Sequence, residues 1–281
     1  MDTYDNFGTT GYMDNIRSNV PSFVNKQNMI RLGVLAIVIS VVYYGYKYLV
    51  DIATSNPFLI KGEKDGTKCT KVSGTRIIPS KIGHEFSYSF WVYVDDWGHN
   101  FNKPKHIFHV GDPEGKNVCP GIWLYPKTNN LMVRVDTYHN KSGDMNPNNN
   151  VSVIKKENPC DLVNIPVQRW VHICVVMINK TVDIYLNGKL ARSCTLENVP
   201  KINEGDVHIN NDGGMEGKIA DLKYYNQAYS PQEVYGIYLS GPNSFDIMKY
   251  IGSYLEKNVP KVNLNFGIEV GDSSLNLEAG N

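Results

Sequence analysis

A single apolar run near the start of the chain most limits what this sequence can fold into. Leu32 to Tyr46 forms 15 consecutive positions without a charge, between Arg31 and Lys47. If both basic side chains extend along a helix to the lipid headgroups, the span widens to 29–50, roughly 33 Å at the helical rise. The run therefore predicts a transmembrane helix over 29–50, with a buried core helix as the alternative.

The predicted helix is expected to be a retained single-pass anchor. It begins too late for an ordinary cleaved signal peptide, because mostly polar residues precede it and no convincing cleavage site follows before Asn56. Three basic residues lie within about 20 positions on each side, so the positive-inside rule favours neither orientation. The anchoring side chains are predicted to be Leu32, Leu35, Ile37, Ile39, Val42 and Tyr43.

Composition argues against several classes of function. The 28 basic and 28 acidic residues leave no net charge, so no overall field draws the chain to nucleic acid. The five cysteines are odd in number and include no CxxC pair, which argues against a zinc cluster or redox motif. Asn140, Asn150 and Asn179 begin glycan-acceptor sequons, which would act only if the domain entered a secretory lumen.

Shifts in composition divide the chain into five parts. They are a polar N-terminal arm over 1–28, the transmembrane helix over 29–50, a linker over 51–69, a β-sandwich over 70–240, and a C-terminal helix with an extended tail over 241–281. The residues that follow the anchor are enough for one large sandwich with appendages.

Short alternating segments after residue 85 indicate an antiparallel all-β fold. In Glu85–Val94 every second residue is aromatic or β-branched on one face, the period of a strand. The number of such segments, separated by Asn, Gly, Asp and Pro, predicts a two-sheet sandwich. Further strands are predicted at Lys105–Val110, Gly121–Tyr125, Leu131–Tyr138, Val151–Ile154, Val207–Asn210 and Lys218–Tyr225.

Residues 169–196 predict a three-stranded meander with two-residue turns, one of them an Asn-Gly pair. These turns place Cys174 opposite Tyr185 and Cys194 opposite Thr181. The two cysteines would then lie two strands apart and out of register, too far for a disulfide between them. The sequence therefore predicts two free thiols in this unit.

The C-terminal part contains helix signals. Ser230 can cap a helix, Pro231 suits its first position and Glu233 completes a capping box, which predicts a helix to about Leu239. A second helix is predicted over Ser244–Leu255, followed by an extended tail.

Three stretches of the chain, taken in sequence order, resemble the laminin G-like branch of the concanavalin A-like lectin and glucanase sandwiches. Phe86–Val94 is similar to an early core strand, and Trp170–Val176 with Val182–Leu190 to the central hairpin. Gly217–Val234 resembles the last core strand and the helix after it. The resemblance covers about residues 70–240 and implies a jelly-roll sandwich. Because the superfamily includes lectins, adhesion modules, glycosidases and structural domains, it does not choose a function.

An N-terminal anchor before an Asn- and Tyr-rich sandwich also looks like the membrane-associated structural proteins of large DNA viruses of algae and protists. This resemblance implies a non-enzymatic minor capsid or membrane protein that links a bilayer to neighbouring capsid or coat proteins. Its expected location is the interface between an internal virion membrane and the capsid, with the cell surface as the alternative. A membrane-anchored glycan-binding module is the second hypothesis, and a glycosidase the third.

The sequence lacks the paired carboxylates of a glycosidase. Glucanases of this fold use closely spaced acids on one strand, because retaining hydrolysis needs two carboxylates roughly 5 Å apart. No E-x-D-x-E pattern occurs, and Asp183 and Asp221 each stand alone on a predicted strand. We therefore expect no enzymatic activity.

Two segments are weak candidates for calcium. Asp144, Asn146 and Asn148 begin like an EF-hand loop, but Lys155 stands where its bidentate glutamate would be. Asp212 lies in a glycine-rich stretch whose simpler interpretation is a turn. No cofactor is expected, with calcium as the open alternative.

The remaining site predictions concern rings. His106 and His109 are three residues apart on a predicted strand, so they should face opposite sides of the sheet and hold no metal together. Trp97, Trp123 and Tyr138 lie near loops, where an exposed ring beside Asn or Asp could stack on a sugar.

Overall fold

The computed structural model describes residues 26–80, 82–138, 144–150, 152, 154, 159–242, 268–270 and 273–275. Its first element is helix α1, Lys26–Ser55, which is 30 residues long and extends five residues into the predicted linker. Residues 27–55 are long and apolar enough to cross a membrane, and none of the apolar window is buried by the part of the chain that the structure describes. Within these residues, α1 is therefore not the buried core helix of the alternative prediction.

The rest of the described chain is a two-sheet antiparallel sandwich, so the predicted fold class is confirmed. A six-stranded sheet has the order β1-β11-β3-β7-β8-β9 and a five-stranded sheet the order β2-β10-β4-β5-β6. The strands are β1 Glu63–Asp65, β2 Thr70–Val72, β3 Glu85–Asp96, β4 Lys105–Gly111, β5 Val118–Leu124, β6 Leu131–Arg134, β7 Trp170–Ile178, β8 Thr181–Leu186, β9 Lys189–Thr195, β10 Asp206–Ile209, β11 Glu216–Tyr225, β12 Ile268–Val270 and β13 Ser273–Leu275.

The main core lies between the two large sheets. The aromatic and β-branched face of β3 points into it, as its alternation predicts, and Phe90 and Val92 are fully buried. The opposite face of the six-stranded sheet is covered by helix α2, Pro231–Ser240, whose Val234 packs against Cys174 and Val176. Strands β3 and β7 are therefore buried on both sides.

Helix α2 begins at the predicted capping box. The Ser230 hydroxyl accepts a hydrogen bond from the Glu233 N–H at 3.4 Å, and the Glu233 carboxylate accepts one from the Ser230 N–H at 2.7 Å. The second predicted helix, Ser244–Leu255, lies outside the described residues. Within the predicted extended tail, β12 and β13 pair as a short hairpin.

The loop between β6 and β7 departs from the predictions. The strand expected at Val151–Ile154 is wrong, because Ser152 and Ile154 are helical, and β6 ends at Arg134 rather than Tyr138. Beyond β6, Thr137 retains only an isolated bridge to Pro200. This connection crosses the outer face of the five-stranded sheet, where Met145 packs against residues of β5 and β6.

The prediction of two free thiols is wrong for Cys194, which forms a disulfide with Cys160 at a Cα separation of 5.4 Å. Cys174 is free, buried and opposite Tyr185, as predicted. Cys194 pairs with Val182 rather than Thr181, because a bulge in the β8–β9 ladder shifts the register by one residue. The sequence pattern could exclude a bridge between Cys174 and Cys194, but not a partner from a distant loop.

Candidate functional site

Three histidines and a tryptophan meet on the outer face of the five-stranded sheet. We call His106, His109, His208 and Trp123 the ring cluster. Its neighbouring ring centroids are 4.9 Å apart for His106 and His109, 4.9 Å for His109 and His208, and 5.3 Å for His106 and Trp123. All four side chains are buried. Such a concentration of buried polar rings outside the main core marks this face as the candidate site.

The prediction that His106 and His109 face opposite sides of the sheet is wrong. The β4–β5 ladder shifts register between His106 and Phe108, so one additional residue of β4 lies between the two histidines. A bulge of this kind reverses the alternation of side chains beyond it. The imidazole atoms His106 Nε2 and His109 Nδ1 consequently lie 2.7 Å apart.

The hydrogen bonds of this pair run in one direction. The Asn211 N–H donates to His106 Nδ1 at 2.9 Å, so the proton of His106 lies on Nε2. That proton is donated to His109 Nδ1, and His109 Nε2–H donates to the Asp112 carbonyl oxygen at 2.8 Å. This histidine relay joins strand β4 to the turn after β10 and to the loop before β5.

Burial keeps the ring cluster uncharged. It lowers the pKa of His106 well below its ordinary value, and the neighbouring His109 and His208 add to the effect. Burial also lowers the pKa of His109, against the opposing effect of the hydrogen bond that His109 donates to the Asp112 carbonyl. The pKa of His208 is lowered by burial and by the charge of Lys71. The relay described above is therefore the neutral form that exists at pH 7.

A groove of about 670 Å³ opens beside the ring cluster. His208 and Asp112 line it together with residues 201–206. The Asp112 carboxylate accepts hydrogen bonds from the backbone N–H groups of Lys116 and Asn117, at 2.9 and 2.8 Å. These bonds, working against burial, lower the pKa of Asp112 and shape the loop that forms one wall.

The opposite wall is held in a similar way. Asn203 donates from its side-chain amide to the Asn117 carbonyl at 2.9 Å and accepts from the Gly205 N–H at 2.8 Å. The Asp206 carboxylate pairs with Lys71 at 2.7 Å and accepts from the Gly74 N–H at 2.9 Å. The hydrogen bond from Lys71 is the largest cause of the lowered pKa of Asp206. Asp112 and Asp206 are therefore each engaged by nearby donors, and a third carboxylate, Glu204, also lines the groove.

The two isolated carboxylates found in the sequence lie elsewhere, on the six-stranded sheet. Asp183 accepts a hydrogen bond from Ser193 at 2.5 Å, and Asp221 accepts one from the Gly62 N–H at 2.8 Å. Neither lines the groove. They bond to their own surroundings and form no pair of the kind that glycoside hydrolysis requires.

The structure brings the two calcium candidates together. Asn148 donates from its amide to the Asp212 carboxylate at 3.1 Å. Asp144 and Asn146 accept, through their side-chain oxygens, the N–H groups of the residues two positions later, at 2.8 and 2.9 Å. These oxygens thus form Asx turns. In the part of the chain that is described, no group of three or more His, Cys, Asp or Glu side chains could hold a metal ion; calcium remains a prediction.

The three aromatic candidates have different surroundings. Trp123 is fully buried, packed against Val118, Met132 and Met145, so the prediction that its ring is available to a sugar is wrong. Trp97 is half-buried, and the Lys105 ammonium lies 4.8 Å from its ring centroid.

Tyr138 is the exposed member of the three, with 53% of its surface accessible. Its N–H donates to the Val199 carbonyl at 3.0 Å, and the Lys201 N–H donates to the Asp136 carbonyl at 2.8 Å. The segment that pairs with Tyr138 therefore continues directly into the residues that line the groove. Of the aromatic candidates, Tyr138 is the exposed one that adjoins the groove.

His208, Asp112 and Asn203 were missed as site residues. Each is an isolated polar residue in the sequence, with no motif around it. His208 reaches His109 because β10 pairs with β4, which places the two residues directly opposite each other. The contact between His208 and His109 could be predicted only from the order of the strands in the sheet.

Residues 65–235 match the family model described as the concanavalin A-like lectin/glucanases superfamily, laminin G type. The chain belongs to this superfamily. The matched region includes the strands and the capped helix that carried the resemblance in the sequence, so that prediction is confirmed. No curated protein matches the chain.

Similar solved structures include binding domains of botulinum neurotoxins. The serotype D binding domain is 12% identical, with a TM-score of 0.43, over 68% of this chain and 53% of that one. The receptor-binding domain of the C/D mosaic serotype is 14% identical, with a TM-score of 0.39, and the match covers 57% of this chain and 37% of that one. The receptor-binding domain of type G is 15% identical, with a TM-score of 0.38, and the match covers 63% of this chain and 45% of that one. The chain thus spans about half or less of these structures, and the superfamily assignment does not depend on them.

Proposed function

We propose that this protein is a non-enzymatic binding module held at a membrane by helix α1. The observation that carries the proposal is the exposure of the helix: no part of its apolar window is buried among the described residues. Ile37, Val41 and Val42 each expose about two thirds of their surface. Leaving this surface in water is unfavourable by about 25 cal/mol per Å², and a bilayer removes the cost.

The junction after the helix supports close attachment of the sandwich to the bilayer. Helix α1 ends at Ser55, and the N–H groups of Leu59 and Ile60 already bond to the Leu222 carbonyl at 2.8 and 3.0 Å. Both side chains are buried in the core. The Asn56 side-chain oxygen also accepts a hydrogen bond from the Asn226 N–H at 3.2 Å. A connection this short leaves little free chain between anchor and sandwich.

The anchor is tested by alkaline extraction of membranes that contain the full chain. Wild-type protein should stay in the pellet. Replacing Ile37 and Val41 with lysine should release it, since each charge at the centre of a span costs about 2.5–3.5 kcal/mol on the insertion scale. Ile82→Lys is the matched control, because Ile82 is 72% exposed outside the helix. Retention of the double variant in the pellet would contradict the proposal.

The absence of enzymatic activity is supported by the carboxylates described above. Of the three carboxylates that line the groove, Asp112 and Asp206 are held by nearby donors, which leaves Glu204 without an available partner acid, and Asp183 and Asp221 lie on the other sheet. Turnover of a set of chromogenic glycosides by the purified chain would contradict this part of the proposal. A structural role predicts no turnover above that of an Asp112→Asn variant.

The finer form of the proposal is that the sandwich holds a bilayer against capsid or coat proteins inside a virion, with the cell surface as the alternative location. The short junction supports a load-bearing contact of this kind. Crosslinking in intact particles, followed by mass spectrometry, should join residues of the sandwich to shell proteins. Recovery solely as an uncrosslinked monomer, absent from particles, would contradict this form while leaving the anchor intact.

A glycan is the second candidate ligand, favoured by one observation: exposed Tyr138 adjoins a groove lined by amide, carboxylate and imidazole groups. Sugar rings stack on such tyrosines while their hydroxyls bond to neighbouring polar groups. A glycan array, read with and without chelator, should identify ligands of the wild-type protein. Their binding should weaken roughly 3–10-fold in Tyr138→Ala, because an aromatic contact contributes ~0.5–1.5 kcal/mol. Tyr235→Ala, on helix α2 and 45% exposed, is the control.

A further inference from the structure

The membrane orientation, which the flanking charges leave open, can be inferred from a crosslink in the sandwich. Cys160, in the connection before β7, is bonded to Cys194 on the edge strand β9, and both are buried. The bond forms when two thiols give up two protons and two electrons to the thiol oxidant of an oxidising compartment. In the cytosol such structural disulfides are rare, because thiols are kept reduced there.

One glycan-acceptor sequon occupies an exposed position on the same sandwich. Asn179-Lys180-Thr181 forms the tight turn between β7 and β8, and Asn179 and Lys180 are both exposed. The Asn179 N–H bonds to the His84 carbonyl at 3.0 Å, which fixes the turn through its backbone. A substituent on the side chain therefore extends into solvent without breaking that bond.

The sequon at Asn150 is different. The Asn150 amide nitrogen Nδ2 donates to the Asp144 carbonyl at 2.9 Å, and Oδ1 accepts from the Ser152 N–H and hydroxyl at 3.1 and 2.5 Å. A sugar bonded to Nδ2 would replace one of its two hydrogens and crowd the contact with Asp144 in this loop. The folded structure thus distinguishes two sequons that the sequence treats alike.

We propose that the sandwich lies on the oxidising, lumenal side of the membrane, that the N-terminal end of α1 faces the reducing side, and that Asn179 carries an N-linked glycan. When the oligosaccharide is transferred to the protein, Asn179 Nδ2 loses a proton and bonds to C1 of the sugar. The bond between C1 and the pyrophosphate of a lipid-linked oligosaccharide donor breaks, and the lipid pyrophosphate leaves. This inference rests on the proposed membrane anchor.

The test is translation of the full chain with endoplasmic reticulum microsomes under oxidising conditions. The membranes are extracted with alkali, and the pellet is treated with protease or with an endoglycosidase. The sandwich should be protected from protease, and the endoglycosidase should shift its mass. The shift should fall by one glycan in Asn179→Gln and be unchanged in Asn150→Gln. Alkylation of the denatured chain before reduction should label Cys69, Cys119 and Cys174 but neither Cys160 nor Cys194.

The outcomes separate this inference from the proposed anchor. A chain that stays in the pellet but is digested by protease, or is protected without an Asn179-dependent mass shift, overturns the inference and keeps the anchor. A chain released by alkali overturns both.

Discussion

The histidine relay should contribute measurably to the free energy of unfolding. In His106→Phe the ring contact with Trp123 can persist, but the acceptor for the Asn211 N–H and the donor to His109 Nδ1 are both lost. The His109 atom is left buried without a partner, which costs about 1–3 kcal/mol; the part-buried Asn211 N–H can reach water and costs less. We therefore expect unfolding to become easier by about 2–4 kcal/mol at neutral pH.

A tautomer change cannot rescue the variant. Moving the His109 proton to Nδ1 would leave Nε2 as an acceptor against the Asp112 carbonyl oxygen, which is also an acceptor. The relay depends on each imidazole being neutral and in one orientation. No other tautomer of His109 therefore replaces the hydrogen bond lost in the variant.

The pH dependence supplies a second, independent readout. The folded pKa of His106 lies well below 6.5, so its stabilising contribution is complete above that pH. As pH falls through 6.5 the unfolded chain binds a proton that the folded chain does not. Wild type then loses up to about 1.4 kcal/mol per pH unit at this residue, whereas the variant has no such group. The stability difference between the two proteins should shrink in acid.

The assay is urea unfolding of the detergent-solubilised full chain, followed by tryptophan fluorescence at about pH 7.5 and about pH 5. His99→Phe is the control for loss of a histidine outside the relay; the His99 side chain is 30% exposed, and its change should cost less than about 1 kcal/mol. The reasoning fails if His106→Phe unfolds within about 1 kcal/mol of wild type near neutral pH, or if the difference does not shrink in acid.

Three further changes test other contacts. Asp161→Asn should lower stability by about 3–5 kcal/mol in urea titrations, because it leaves the buried Arg134 guanidinium without its carboxylate; a loss below about 1 kcal/mol would contradict the buried pair. Cys194→Ser removes the crosslink to Cys160 and should cost about 2–4 kcal/mol, and an unchanged midpoint under oxidising conditions would contradict the bridge. Ser230→Ala removes the cap of helix α2 and should cost about 1 kcal/mol, with Ser230→Asn as the control that retains capping.

Much of the fold could be predicted because its signals are local. The alternation in β3, the tight turns of the β7–β9 meander and the capping box of α2 each depend on residues a few positions apart. The strand expected at Val151–Ile154 failed because an alternating tetrapeptide has too few residues to exclude a helical loop.

Most of the candidate site could not be predicted from the sequence. A bulge between His106 and Phe108 turns two histidines to the same side, and it is visible only where β4 pairs with β5. Trp123 was expected at the surface, but the β6–β7 connection covers it. Tyr138 is exposed, but its position beside the groove follows from its pairing with the segment at Val199.

By itself, the sequence determined the apolar helix, the strand alternation and the class of fold, because hydrophobic period and uncharged length are properties of adjacent residues. The tertiary structure decided which distant groups meet. Asn211 bonds to His106 across 105 positions, and Cys160 finds Cys194 across 34. These contacts depend on strand order, on bulges and on the path of one long loop, and each of these is set by pairing between remote segments.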